Sequence, residues 1–75
     1  MNMVSYTIYS KDNCPNCITA IKLLPEATVL KLNVDYTKEE LLVIAPCAKA
    51  LPQILCDGVL LGGLSELKLT LGEIN

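Results

Sequence analysis

The pair of cysteines in Cys14-Pro15-Asn16-Cys17 constrains the fold of this 75-residue chain more than any other feature. The run that precedes it, from Met3 to Tyr9, is rich in β-branched and aromatic residues and predicts a strand. Pro15 suits the first turn of a helix, where the N–H that proline lacks would have no partner. The chain must therefore change from strand to helix at Cys14.

A cysteine at the start of a helix is chemically distinctive. Unpaired backbone N–H groups and the positive end of the helix dipole favour a thiolate over a thiol. Such surroundings lower the pKa of a cysteine from about 8.5 to about 3.5–7.5, and the thiolate is the species that attacks a disulfide. The spacing predicts Cys14 as the nucleophile and Cys17, one helical turn later, as the thiol that resolves the mixed disulfide. Pro15 stiffens the link between the two sulfurs.

The chain between the cysteine pair and residue 34 predicts a helix followed by a second strand. Apolar residues at helical spacing mark the helix, and Pro25 stops it. The segment from Thr28 to Val34 then predicts a strand. The apolar residues of the helix are Ile18, Ile21 and Leu24.

A capping signature marks the start of a second helix. Thr37 is followed three residues later by Glu40, which is the spacing of a capping box, and Asp35 is an alternative cap. The helix ends at Pro46, because proline cannot continue it. Its apolar residues are Leu41, Leu42 and Ile44.

The last third of the chain predicts a hairpin and a final helix. Leu51 to Cys56 reads as a strand with Pro52 at its start, since proline is excluded from central strand positions. Asp57-Gly58 is a strong turn signal before the strand Val59 to Leu61. Gly62-Gly63 breaks the chain, and a helix begins near Ser65. The apolar face of this helix comprises Leu64, Leu67 and Leu71.

These elements give the order β-α-β-α-β-β-α. A strand–helix–strand unit pairs its strands in parallel, and a terminal hairpin adds antiparallel pairing. The predicted fold class is α/β, with a four-stranded mixed sheet flanked by helices and one domain over residues 1–75. The residues predicted to lie in the core are Leu23, Leu41, Ile44, Ile54 and Leu67.

Over nearly the whole chain, this order and three local motifs resemble the glutaredoxin branch of the thioredoxin fold. The segment Tyr9 to Cys17 resembles the family's active site at a strand end, including a lysine, Lys11, three residues before the first cysteine. Leu51-Pro52-Gln53-Ile54 is similar to its cis-proline segment. Asp57-Gly58 and the run Gly62 to Leu67 resemble its hairpin and its turn into the last helix. Asn16 and Ala50 depart from the family, where Tyr and a hydroxyl residue are frequent.

The resemblance implies a dithiol oxidoreductase that reduces protein disulfides or glutathione mixed disulfides. It implies no permanently bound cofactor and no metal, with glutathione as a co-substrate. The implied partners are disulfide-containing proteins, among them ribonucleotide reductase, and the implied state is a monomer. The implied catalytic residues are Cys14, Cys17, Pro15 and Pro52. The implied glutathione-binding residues are Lys11, Leu51, Pro52, Gly62, Gly63, Ser65 and Glu66.

Other interpretations of the cysteines remain open on the sequence. A redoxin with the same chemistry can be recharged by thioredoxin reductase and serve ribonucleotide reductase. Copper chaperones also begin with Cys-x-x-Cys after a first strand, although their order is β-α-β-β-α-β, and an iron–sulfur carrier is a further binding role. Four cysteines also allow two structural bridges. Cys56 is expected to be buried as a small hydrophobe, and Cys47 to be exposed.

Composition excludes several other functions. The net charge is −2 and the six lysines are spread through the sequence, so no run of cations predicts a nucleic-acid partner. The chain has no histidine, which removes the usual general base and the commonest metal-binding side chain. No signal-like segment or run of about 20 apolar residues is present, so a cytoplasmic location without a membrane partner is expected.

Overall fold

Seven elements follow one another in the predicted order in the computed structural model, which describes residues 4–72. The predicted first residue of the first strand, Met3, lies outside the described residues. The strands are β1 (Tyr6–Ser10), β2 (Thr28–Lys31), β3 (Gln53–Cys56) and β4 (Val59–Gly62). The helices are α1 (Pro15–Leu23), α2 (Lys38–Ile44) and α3 (Leu64–Thr70).

The four strands form one mixed sheet in the order β2-β1-β3-β4. β1 pairs in parallel with β2 and antiparallel with β3, and β3 continues into β4 as a hairpin. Asp57 and Gly58 at the hairpin turn have φ of 52° and 81°. Positive φ at both central residues is the geometry that makes Asp-Gly favourable in a two-residue hairpin turn. The predicted fold class is confirmed, and the element order differs from that of the copper chaperones.

The main core lies between the sheet and the pair of helices α1 and α3. Ile8 and Ile54 are opposite each other in neighbouring strands and are completely buried. Ala20, Leu24 and Leu67 cover them from the helices. Of the predicted core residues, Leu41, Ile54 and Leu67 are buried, whereas Leu23 and Ile44 are half-buried.

The three apolar residues at helical spacing in α1 are not equally buried. Leu24, the cap residue, is buried in the core, Ile21 packs against the core, and Ile18 is 53% exposed. The other buried residues of the helix are Cys17 and Ala20.

The predicted second strand is longer than the observed one. β2 ends at Lys31, whose N–H donates to the Asp35 carboxylate at 2.9 Å. Asn33 has a φ of 66°, and this left-handed conformation reverses the chain. Val34, the predicted last residue of the strand, is consequently 74% exposed in the turn.

A second, smaller layer covers the other face of the sheet. Tyr36 packs edge-on against Tyr9, with ring centroids 4.8 Å apart. The hydroxyl of Tyr36 donates to the carbonyl of Ser10 at 2.7 Å. This bond fixes the end of β1, which is the point where the chain leaves the sheet toward the cysteine pair.

Helix α2 begins with the predicted capping box. The Glu40 N–H donates to the Thr37 hydroxyl at 3.2 Å, and the Thr37 N–H donates to the Glu40 carboxylate at 2.8 Å. Thr37, not Asp35, is therefore the cap. Among residues 4–72, every helix is too short or too polar to cross a bilayer.

Candidate redox site

The turn between β1 and α1 delivers Cys14 to the start of the helix. Asp12 in this turn pairs with the ammonium group of Lys31 at 3.2 Å, which ties the turn to the end of β2. Asn13 has a φ of 55°, a conformation that asparagine tolerates better than most residues. Cys14 then adopts an extended backbone as the N-cap residue of α1. The predicted change from strand to helix is confirmed.

The sulfur of Cys14 performs the task of a helix cap. The N–H of Cys17 donates to the Cys14 Sγ at 3.2 Å. The two cysteines form a disulfide, with their Cα atoms 5.2 Å apart. The first turn of α1 contains no acidic side chain that would compete for the N–H groups. When the disulfide is reduced, the same N–H and the helix dipole favour a thiolate on Cys14.

The two sulfur-bearing residues differ in accessibility. Cys14 retains 5% of its surface and Cys17 retains 1%. Both are packed into the protein, but Cys17 lies on the inner side of α1. Cys14 is thus the slightly more accessible of the two sulfur-bearing residues.

The segment before β3 lies against the Cys14 sulfur. The Leu51–Pro52 peptide bond is cis, as the resemblance implied, and Pro52 is buried. The carbonyl oxygen of Leu51 is 3.6 Å from the Cys14 Sγ. A sulfur in a disulfide has no proton to donate, whereas a reduced thiol can donate to this carbonyl. In the reduced protein, the Leu51 carbonyl thus favours the thiol and the Cys17 N–H favours the thiolate.

The start of α3 also lies close to Pro52. A Cβ built on Gly63 would be 3.5 Å from the Pro52 carbonyl oxygen, so the two segments approach closely. Gly62 has a φ of 130°, and a Cβ there would be 2.7 Å from the Glu66 Cγ. Only glycine fits at Gly62 without displacing Glu66. Ser65 is exposed in the first turn of α3.

Glu66 caps the helix that it belongs to. Its Oε1 accepts the N–H of Gly63 at 2.9 Å. The Gly63 N–H at this helix start is therefore already bound by the protein's own carboxylate.

The predicted glutathione-binding residues line two depressions. One, of about 310 Å³, is lined by Gly62, Gly63 and Glu66 together with the exposed Cys47. The other, of about 160 Å³, contains Lys11 and Leu51. The structure therefore divides these residues between two neighbouring depressions, both of which Ala48 also lines.

The second depression also contains residues that the sequence reasoning missed. Lys38 and Lys49 line it with Lys11. These lysines come from the start of α2, the segment before β3 and the turn after β1, and no spacing in the sequence relates them. Only the fold places them together.

The remaining cysteines lie outside the disulfide. Cys47 is exposed, as predicted, whereas Cys56 is half-buried at the end of β3 rather than buried. In the part of the chain that the structure describes, no three cysteine, aspartate or glutamate side chains converge as a metal site would require.

Comparison with solved structures identifies the architecture. Reduced glutaredoxin from Escherichia coli superimposes with a TM-score of 0.80 at 22% identity, over 92% of this chain and 94% of that one. Glutaredoxin 1 from Francisella tularensis, solved with cacodylate, gives 0.69 at 22% identity over 95% of both chains. A dithiolic glutaredoxin from Trypanosoma brucei brucei gives 0.64 at 25% identity, over 91% and 77%. No family model matches the sequence, and no curated protein matches it.

The fold and the cysteine pair together show which structural class the chain belongs to. The chain is a thioredoxin-like α/β protein with a Cys-x-x-Cys disulfide at the first helix. Within that class, its architecture is that of the glutaredoxins. The resemblance that the sequence motifs predicted is confirmed.

Proposed function

We propose that this protein is a dithiol thiol–disulfide oxidoreductase of the glutaredoxin type. The observation that carries the proposal is the position of Cys14. Its sulfur accepts an N–H at the start of α1 and is bonded to the one cysteine that can resolve a mixed disulfide. A thiolate in this position is both favoured and within reach of a partner thiol.

The proposed reaction transfers two electrons from the protein to the substrate. The Cys14 thiolate attacks one sulfur of the substrate disulfide, which forms a mixed disulfide and releases the other sulfur as a thiolate that takes up a proton. The Cys17 thiol loses its proton and attacks Cys14, which releases the second substrate thiolate to be protonated in turn. The substrate ends as a dithiol and the protein as the Cys14–Cys17 disulfide, which is the state in the structure.

Glutathione is the proposed reductant. Two glutathione molecules supply the two electrons and leave as glutathione disulfide, so no permanent cofactor is needed. Pro15 and Pro52 complete the proposed catalytic set. Lys11, with the Leu51–Pro52 segment, would hold one end of glutathione. Gly62, Gly63, Ser65 and Glu66 would hold the other end.

The proposed setting follows from the same chemistry. The chain acts as one domain and as a monomer in the cytoplasm, on disulfide-containing proteins such as ribonucleotide reductase. Neither a membrane nor nucleic acid takes part.

A turnover assay with a glutathione mixed disulfide tests the proposal. The wild-type protein should reduce it, and Cys14→Ser should lose the activity, because a serine hydroxyl is not ionised at neutral pH. Cys56→Ser is the matched control, since it removes a free thiol that lines neither depression and should retain full activity. An inactive wild type, or a fully active Cys14→Ser, would refute the proposal.

A second candidate has the same chemistry but another reductant. Because the Glu66 carboxylate already accepts the Gly63 N–H, the start of α3 offers one donor fewer to glutathione. This observation favours recharging by thioredoxin reductase. Reoxidised protein incubated with either reductant alone separates the two, since only the true donor restores free thiols on Cys14 and Cys17.

A further inference from the structure

Three lysines and a leucine-rich floor form a depression beside the redox site. Lys11, Lys38 and Lys49 are its only charged residues, and we refer to it as the lysine depression. The other residues that line it are all leucine or alanine: Leu32, Leu41, Leu42, Ala48, Ala50 and Leu51.

The charge of the lysine depression is opposite to that of the protein. The chain carries eight carboxylate side chains and six lysines. Seven of the carboxylates belong to residues 4–72, and none of these seven lines the depression. In residues 4–72 the one ion pair joins Lys31 to Asp12, so the three lysines of the depression are not neutralised there. An anionic ligand is therefore attracted to this face of an acidic protein.

The leucine side chains of the depression require that a ligand also has an apolar part. Leu42 is 37% exposed, and Leu51 is half-buried at the edge of the depression. A ligand that matches the depression must cover leucine side chains as well as meet ammonium groups. Glutathione, which the proposed function places at Lys11 and Leu51, has carboxylates for the ammonium groups but no large apolar side chain to cover the other leucines. A peptide with acidic and apolar residues matches both.

The lysine depression is linked to the reacting sulfur through Leu51. Leu51 lines the depression, and its carbonyl oxygen is 3.6 Å from the Cys14 Sγ. Residues next to a substrate disulfide that Cys14 attacks are therefore close to the depression. The depression is then in a position to select among disulfide substrates.

We propose that the lysine depression binds the polypeptide segment next to the substrate cysteine, and that it selects segments with acidic side chains and a large apolar side chain. This inference rests on the proposed function. It adds a substrate class to that function, namely protein disulfides in acidic, apolar sequence. The electron transfer is the one given above, with the substrate peptide as the disulfide that becomes a dithiol.

Two synthetic peptides test the selection. Both contain an intramolecular disulfide and a leucine beside it, and one has glutamates where the other has lysines. Reduction by stoichiometric, chemically reduced protein is followed in a single turnover, which requires neither glutathione nor a reductase. At low salt the acidic peptide should react about tenfold faster, and the ratio should fall toward one at high salt.

Charge reversal locates the effect. The double variant Lys38→Glu with Lys49→Glu should invert the preference between the peptides and leave reduction of the small neutral disulfide of 2-mercaptoethanol unchanged. Lys22→Glu is the control, because it reverses a charge on an exposed lysine of α1 outside the depression. It should keep the wild-type preference.

The possible results distinguish failure of this inference from failure of the proposed oxidoreductase function. Equal rates for both peptides, or a preference that the double variant retains, would overturn the inference while the proposed function stands. A double variant that keeps the peptide preference but needs more glutathione for recharging would assign the depression to glutathione and also overturn it. If the reduced protein reacts with neither peptide nor the neutral disulfide, the proposed function fails and the inference with it.

Discussion

The starts of α1 and α3 both lie close to the Leu51–Pro52 segment, and their backbone N–H groups are satisfied in different ways. Each helix has free N–H groups in its first turn, and each uses its cap residue and the residue three positions later to satisfy them. In α3 the Gly63 N–H donates to the Glu66 carboxylate at 2.9 Å. In α1 the Cys17 N–H donates to the Cys14 sulfur at 3.2 Å.

The difference lies in the chemistry of the acceptor. A glutamate is charged at neutral pH in every redox state, so α3 is capped permanently. The Cys14 sulfur is neutral in the disulfide and gains charge only after reduction. The two cysteines thus occupy the same two helix positions as the residues of a capping box, but they are joined by a disulfide that can be reduced. After reduction, the start of the helix favours a thiolate on Cys14.

The largest expected effect comes from replacing Cys17, which forms the disulfide with Cys14. Cys17→Ser should still form a mixed disulfide through Cys14 but should not release a protein substrate. Turnover on a protein disulfide should fall by about a hundredfold or more, because an external thiol must then replace the intramolecular one. Mass spectrometry of the trapped adduct checks the prediction. A variant with wild-type turnover and no adduct would show that Cys17 does not resolve the intermediate.

A carboxylate placed in the first turn of α1 should make this helix start resemble that of α3. Asn16→Asp puts a negative charge next to the developing thiolate without changing the size of the side chain. The rate of alkylation of reduced Cys14 near neutral pH should fall by about threefold at low salt. Ser65→Asp is the matched control, since it places the same charge at the same position of α3. An equal decrease in both variants would mean that the effect is general and not local to α1.

Removing the negative charge at the start of α3 tests whether Glu66 binds glutathione. Glu66→Gln keeps an oxygen that can accept the Gly63 N–H, so the free energy of unfolding should change by less than about 1 kcal/mol. If Glu66 binds the ammonium group of glutathione, the KM for glutathione should rise by about threefold. Glu40→Gln makes the same change at the same position of α2 and should leave KM unaltered. A lower KM in Glu66→Gln would show that the carboxylate repels glutathione.

The smallest effect concerns how the start of α1 is held in place. Tyr36→Phe removes the bond to the Ser10 carbonyl and should lower the free energy of unfolding by about 1 kcal/mol. That carbonyl also accepts the Leu32 N–H at 2.9 Å and so keeps one partner. Denaturant titration at neutral pH measures the loss. Tyr6→Phe is a control that leaves the Ser10 carbonyl untouched.

The same tyrosine predicts an alkaline dependence. Burial, and to a lesser extent the nearby Tyr9, raises the pKa of Tyr36 from 10.0. Above pH 10 the unfolded chain releases this proton before the folded protein does, so its contribution to stability is complete below pH 10 and decreases as the pH rises further. Unfolding curves from pH 9 to 11.5 should show a smaller decrease for Tyr36→Phe than for the wild type. Equal slopes would contradict the assignment.

Local sequence signals located most of the elements and the redox site. Pro15 after Cys14, the Thr37–Glu40 capping spacing and the Asp57-Gly58 turn each act within a few residues, and each appears in the structure as expected. Signals of apolar periodicity were less reliable. Ile18 shares the helical spacing of Ile21 and Leu24 but is 53% exposed, whereas Cys17 beside it is buried.

The order of the elements and the position of the sulfur pair at a helix start can be predicted from the amino-acid sequence, since both depend on contacts between residues close along the chain. The distant residues that surround the pair become known only from the folded protein. Leu51 reaches Cys14 across 37 positions, and Lys11, Lys38 and Lys49 meet in one depression. The physical reason is that such neighbours are fixed by how strands and helices pack, and spacing along the chain carries no record of that packing.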